Sequence, residues 1–376
     1  MNILIGADLV PTQSNVDLFA AGDAQALVGD ELYQLLCNAD YRIFNLEVPL
    51  TDREKPIPKC GPNLIAPTKC IAAYKAMQID LLTLANNHIL DQDQQGLEST
   101  CAVLDAAGIA YTGVGQTPED AAKPYIFGCD GNRIGVYACA EHEFSIVTDS
   151  TPGANPIDLL ESPDHVAALK AQCDFVIVLY HGGKEHYRYP SPNLQKVCRK
   201  LVEKGADLVI CQHSHCIGCE EKYQGGTIVY GQGNFLFDHS ESEFWQTSLL
   251  VQIGNGFQVS YIPLKKDRNG VRMADNMESN EITSTFQMRS QECLNPDIVK
   301  ARFEETIQQN LVSYMMDISG IDINLPLRVI HKISRGRFFD WYIKKRYTLQ
   351  KCMNVINHTE CESHNEILLC GLKREK

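Results

Sequence analysis

The chain has 376 residues, 44% hydrophobic and 22% charged, with 26 Gly and 16 Pro; this excludes collagen-like, low-complexity and disordered classes. Its 34 Lys and Arg against 47 Asp and Glu give a formal net charge of −13. That argues against a nucleic-acid partner, since counterion release needs a basic face.

Met1 to Asp8 lacks a basic n-region, and the fifteen scattered cysteines form no disulfide framework. Reduced thiols in a cytoplasmic protein are the expectation. The longest apolar run, Phe175 to Tyr180, falls far short of the roughly 20 residues that cross a bilayer, so no transmembrane segment is expected. In chain order, apolar runs predict strands at Asn2–Ile5, Tyr41–Asn45, Asp80–Leu84, Arg133–Ala138, Asp174–Leu179, Asp207–Ile210 and Thr227–Tyr230. Helices are predicted at Asp23–Cys37, Pro67–Met77, Gln95–Ala107, Pro163–Gln172 and Ser191–Glu203. Strands alternating with helices indicate βαβ units and largely parallel sheet flanked by helices. Gln246–Ile253 and Phe257–Pro263 read as a closing hairpin. Residues 1–265 thus form one α/β domain. The charged, turn-rich stretch that follows reads as a linker or loop over 266–295, and 296–376 as a basic helical extension with Asp297–Met316 as its first helix. The tail from Asn354 is polar and reads as loosely held.

Polar residues able to bind metal stand at the ends of these strands. Asp8 follows the first, Glu47 the second and Asn86-Asn87-His88 the third. His181 ends the strand at 174, and His213 and His215 follow the strand at 207. Ligands in open α/β sheets gather outside the carboxyl ends of strands. One Asp after a strand is ordinarily a turn or cap residue, but five strand ends bringing carboxylate, amide and imidazole together read as a metal site. Mixed O and N ligands suit Mn, Fe or Zn. Cys211, Cys216 and Cys219 around His213 and His215 admit a structural zinc reading; with no second finger-like Cys pair, thiols lining the site are the expectation. Glu141-His142-Glu143 is either a solvated loop or a set of substrate contacts through His142 and its neighbours. His165, His186, His239, His331, His358 and His364 are read as surface or packing residues.

The blocks Gly6-Ala7-Asp8, Asn45-Leu46-Glu47-Val48-Pro49, Leu84-Ala85-Asn86-Asn87-His88 with Asp91, His181-Gly182-Gly183-Lys184-Glu185, His213-Ser214-His215 and Gly233-Asn234-Phe235 to Asp238 make the sequence resemble the bacterial capsule synthesis family of CapA type. That family is associated with poly-γ-glutamate capsules and belongs to the calcineurin-like metallophosphoesterase superfamily. The resemblance covers residues 1–265 and implies a layered α/β sandwich of mixed sheets. It also implies two divalent metals bridged by Glu47, one held by Asp8 and His215, the other by Asn87, His181 and His213. His88 would be the acid that protonates a leaving oxygen. Asn86, Asp91, Glu185, His142, Asn234 and Asp238 would contact substrate or orient ligands. Three positions depart from the pattern: Asp8-Leu9-Val10 replaces Asp-x-His, Gly182 replaces a Trp, and Cys211-Gln212 replaces Gly-His.

The resemblance therefore implies a metal-dependent hydrolase of a phosphoester, with a small molecule or a polymer as substrate. Cleavage of a γ-glutamyl amide, and a non-catalytic metal-containing subunit of a polymer-synthesis assembly, are the alternatives. Residues 326–351 carry eight Lys and Arg and one acid, Asp340. Arg335 to Arg346 interleaves aromatics with cations, which reads as a helix docked by its aromatic face or as a peripheral membrane contact.

Overall fold

The computed structural model describes residues 1–238, 241–320, 325–335 and 337–374; His239 and Gly336 lie outside them. Its strands are β1 (Ile3–Val10), β2 (Tyr41–Leu46), β3 (Leu81–Thr83), β4 (Ala110–Thr112), β5 (Val114–Gly115), β6 (Tyr125–Cys129), β7 (Asn132–Ala140), β8 (Gly153–Ala154), β9 (Phe175–His181), β10 (Leu208–Gln212), β11 (Glu220–Tyr223), β12 (Gly226–Tyr230), β13 (Asn234–Phe237), β14 (Thr247–Ile253), β15 (Val259–Asp267) and β16 (Gly270–Met273). The helices are α1 (Val16–Ala21), α2 (Ala24–Cys37), α3 (Ile71–Ala76), α4 (Asp93–Ala107), α5 (Pro118–Ala121), α6 (Glu161–Lys170), α7 (Pro192–Glu203), α8 (Asn276–Cys293), α9 (Pro296–Ile318), α10 (Leu325–Ile333), α11 (Arg337–Arg346), α12 (Leu349–Glu360) and α13 (Glu362–Arg374).

Two sheets face each other. One runs β16-β15-β14-β1-β2-β3-β4, with β13 also paired to β1; the other runs β11-β12-β10-β9-β7-β6. Side-chain alternation along each strand builds the layers. Ile3, Ile5, Ile43 and Leu81 from the first sheet meet Ile134, Ile177, Leu179 and Ile210 from the second in the space between them. The opposite faces bury Leu4, Phe44 and Leu82 under α1 to α4, and Val178, Val209 and Cys211 under α6 and α7. Each central strand is apolar on both faces, as a strand covered on both sides requires. The result is the sandwich of layered mixed sheets flanked by helices that the sequence implied.

Residues 266–295 are not a linker. They complete β15, form β16 and then α8, whose start is fixed by a capping box: the Asp275 carboxylate accepts from the Glu278 N–H while Glu278 reaches back to the Asp275 N–H. The charges that suggested a loop belong to the β15–β16 hairpin and the cap of this helix, where Arg272 pairs with Glu278 at 2.7 Å, while Ile282 and Phe286 are buried against Ile217 and Leu249. The chain divides into two compact units, Met1–Ala301 and Arg302–Lys376. Within the second, Phe339 and Ile343 of α11 bury against Met316, and His331 stacks on Phe339 at 4.1 Å. The tail from Asn354 continues as helix in α12 and α13.

Candidate metal centre

The carboxyl ends of β1, β2 and β3 in one sheet and of β9 and β10 in the other meet at one edge of the sandwich. A register shift in β1 falls at Asp8, and such bulges re-aim a side chain. Asp8 lies beside Asn45 on one neighbouring strand and Asn234 on the other. Asn45 donates to Asp8 Oδ1 at 2.7 Å, and Asn234 Oδ1 lies 2.8 Å from His215 Nδ1. His213 and His215 sit on left-handed backbone, with φ of 79° and 53°. That costs about 1–3 kcal/mol per residue and is found where a site over-determines the chain.

The atoms converge as ligands do. His181 Nε2 lies 3.1 Å from Glu47 Oε1, 3.0 Å from Asn87 Oδ1 and 3.1 Å from His213 Nδ1. One ring nitrogen offers a single proton or a single lone pair and cannot serve three partners at once. Ligands about 2.1 Å from a shared ion stand about 3.0–3.4 Å from each other, the spacing seen here. On the other side, His215 Nδ1 lies 3.6 Å from Asp8 Oδ2. Two groups can each hold an ion, Glu47–His181–His213 and Asp8–Glu47–His215, with Glu47 common to both. Glu47 Oε1, Glu47 Oε2 and Asp8 Oδ2 are buried without a hydrogen-bond partner among the described residues. Orphaned buried carboxylate oxygens are costly unless a cation meets them, so the residues fit divalent metal.

Electrostatics agree. Burial lowers His181 to about 4, and burial with repulsion from His181 holds His213 well below the usual imidazole range; both rings are neutral, with a lone pair to give. Burial, then the Asp8 carboxylate, pushes Glu47 up to about 8. Burial alone would lower His215, but Glu47 and Asp8 raise it to about 9.

Among the other expected residues, His88 is buried, its Nδ1 2.5 Å from Asp91 Oδ2 and its backbone N–H held by Asn86 Oδ1 at 3.1 Å. Asn86 also donates to Leu46 O at 2.8 Å, tying its loop to β2. Glu185 is exposed and its carboxyl lies low, the nearby His213 and His215 outweighing burial. Asp238 is engaged elsewhere, by Lys266 at 2.7 Å and Ser14 at 2.5 Å. His142 is exposed; its neighbour Glu143 makes the contact, accepting from Asn87 Nδ2 at 2.8 Å. That bond sets the amide so that Oδ1 faces His181. Gly182 leaves no room for the expected Trp, since a Cβ there would stand 2.7 Å from Glu141 and 2.8 Å from the Tyr180 ring.

One expectation fails. Cys211 and Cys219 do not line the site: Cys211 alternates onto the helix side of β10 and lies 3.5 Å from Cys198, and Cys219 interacts with Cys293. His186 is an exposed packing residue, as expected; it accepts from Trp245 Nε1 at 2.9 Å while Trp245 stacks on His215 at 4.6 Å. Asn45, Trp245 and Lys59 were missed, and Glu143 was weighed only as a substrate contact or loop residue. The Lys59 ammonium is buried against Asp91 and lies 3.2 Å from His88 Nδ1. Asn45 and Glu143 stood inside quoted motifs, so their signal was present; Trp245 and Lys59 come from loops distant in sequence.

The architecture is thus a layered α/β sandwich with a carboxylate–imidazole cluster at its strand ends whose groups could hold metal. The chain belongs to the bacterial capsule synthesis protein family (Bacterial capsule synthesis protein PGA_cap), whose model matches residues 8–239. It is 31% identical over 226 residues to the capsule biosynthesis protein CapA of Bacillus anthracis, covering 58% of this chain and 55% of that protein. It is 27% identical over 251 residues to the PGA biosynthesis protein CapA of Bacillus subtilis, covering 61% and 65%. The chain thus spans somewhat over half the length of these relatives. Similar solved structures include a phosphatase from Mycoplasma pneumoniae (TM-score 0.44, 14% identity, 71% of this chain and 94% of that one) and a 5'-nucleotidase from Candida albicans (TM-score 0.42, 15% identity, 82% and 57%). Among the described residues, no helix is long and apolar enough to cross a membrane.

Proposed function

We propose that the protein is a metal-dependent hydrolase of phosphoesters that works in the cytoplasm on a precursor of a capsule or surface polymer. The carrying observation is the pair of ligand groups sharing Glu47, with His88 beside them. Asp8, Glu47 and His215 would hold one ion; Glu47, Asn87, His181 and His213 would hold the other. Such ions supply Lewis-acid polarisation of a phosphoryl oxygen and a water acidic enough to attack near neutral pH. The chain's own part is positioning and proton transfer. Glu143 fixes the Asn87 amide, Asn45 and Asn234 fix Asp8 and His215, and Asp91 holds His88 Nδ1. The Nε2 of His88 is then the nitrogen that delivers a proton to the leaving oxygen. Fifteen free cysteines support a reducing compartment.

The test is metal content together with Mn-stimulated hydrolysis of aryl phosphodiesters and monoesters, comparing wild type with His88→Ala. Both proteins should bind metal, and turnover should fall about 10²–10⁴-fold in the variant. Failure to bind metal overturns the reading. The names of the relatives concern a glutamate polymer, whose links are amides, and this favours a second reading: polarisation of a γ-glutamyl carbonyl at the same centre. Metal binding without phosphoester turnover, but with release of glutamate from a γ-glutamyl peptide, would establish it. Metal without either activity would leave a non-catalytic subunit of a polymer-synthesis assembly.

A further inference from the structure

Beside the metal centre, a cavity of about 300 Å³ opens between α8, the loop after His215 and the start of β14. Arg188, Lys265 and Arg289 line it, over an apolar floor of Ile217 and Ile282. Arg289 is 8% exposed, and its Nε donates to Gly218 O at 2.8 Å. Its Nη1 and Nη2 groups make no hydrogen bond among the described residues. Arg188 donates through Nη1 to the adjacent carbonyl, Ile217 O, at 3.1 Å, and its plane lies over Phe244 at 4.7 Å.

Buried guanidinium groups are almost always paired with a carboxylate. Arg289 instead faces a second cation: burial and the charge of Arg188 both lower its proton affinity. The acids around the cavity do not relieve this. Glu278 is bound by both Nη groups of Arg272, at 2.7 and 2.9 Å. Glu243 is 79% exposed and only 3.8 Å from Arg188 at its nearest, and Glu281 is exposed at the rim. A fork of free N–H donors on a buried, planar cation matches a bidentate oxyanion.

We propose that this cavity is an anion-binding subsite that takes one carboxylate or phosphate group between Arg289 and Arg188. Rim acids Glu281 and Glu243 favour a ligand whose remaining part is neutral or cationic and discriminate against extended polyanions. The site is independent of any reaction at the metal centre. The same arginines hold the carbonyls of Ile217 and Gly218, two and three residues after His215.

The test is calorimetric titration of full-length, metal-free protein with inorganic phosphate, glutarate and γ-aminobutyrate. The wild type should show saturable binding of at least one probe. Phosphate in preference to the two carboxylates identifies a phosphate site, and γ-aminobutyrate in preference to glutarate identifies a carboxylate flanked by a cation. Arg289→Gln should weaken that binding at least tenfold, and Glu281→Gln should tighten glutarate or phosphate two- to fivefold. No saturable binding in the wild type, or equal binding in a folded Arg289→Gln, overturns the proposal. Should Arg289→Gln fail to fold, Arg188→Gln and Glu281→Gln decide: weakening in the first with tightening in the second supports the subsite, and no change in either overturns it. Because no activity is measured, failure here leaves the hydrolase reading untouched, and the reverse holds as well.

Discussion

Glu47 and His215 carry protons into a site built for cations, and this sets a pH dependence. Glu47 is raised to about 8 by burial and Asp8, so its folded form keeps a proton that the unfolded chain releases from about pH 4.5 upward; stability falls as pH rises toward 8. His215 is raised to about 9 by Glu47 and Asp8 against burial; its stabilising charge is present below about 6.5 and lost as pH rises through 9. Metal-free protein should therefore melt at progressively lower temperature from pH 6.5 to 9. Metal affinity should climb over the same interval, by about tenfold per pH unit for each proton displaced. Thermal melts with and without Mn across that range check both slopes. Glu143 gives a second expectation. Glu143→Ala frees the Asn87 amide to rotate and should weaken ion binding about 10–100-fold, with Glu143→Gln, whose amide oxygen still accepts, falling between; metal titration reads the difference.

At the scale of elements, the loop from β10 to β11 is the most constrained. It places two ligands on left-handed backbone, and a Cβ at Gly218 would stand 1.6 Å from Tyr230 O. Gly218→Ala should therefore displace the loop and abolish ion binding, while the far-ultraviolet circular dichroism stays close to wild type. The legibility of the site follows from the same geometry. Strand-end residues stood out in the sequence because an apolar run ended in a carboxylate or an imidazole. Asn45, though mid-motif, lies inside β2 and gave no such break. Lys59, Glu143 and Trp245 reach the site from connecting loops, where nothing local marks the partner they meet. The error over the cysteines was one of period: Cys211 belongs to the helix-facing set of β10, two residues from a ligand yet on the other side of the sheet.

For the whole molecule, β1, β2, β3, β7, β9, β10, β12, β14 and β15 were legible because each is a short apolar run, whereas β4, β5, β6, β8, β11 and β13, short or at sheet edges, were not, nor were the short helices α1 and α5. The partition into two facing sheets was not legible either, since β7, β9 and β10 read the same whichever sheet they join. The charged, turn-rich β15–β16 hairpin hid that residues 276–293 complete the first unit. All candidate ligands lie within Met1–Ala301, so a chain ending at Ala301 should bind the same number of ions as the full-length protein, measured by elemental analysis after gel filtration.

The acids and the amide of the centre hang from one sheet, and the imidazoles from the other. The gap an ion must bridge is therefore set by the thickness of the aliphatic filling between the sheets, by Ile3, Ile5 and Ile43 against Ile177, Leu179 and Ile210. Choice among ions of different radius is then written partly in greasy residues that never touch the ion. If the centre holds metal as proposed, trimming one methylene from that filling should shift which ion it prefers, with every ligand left in place.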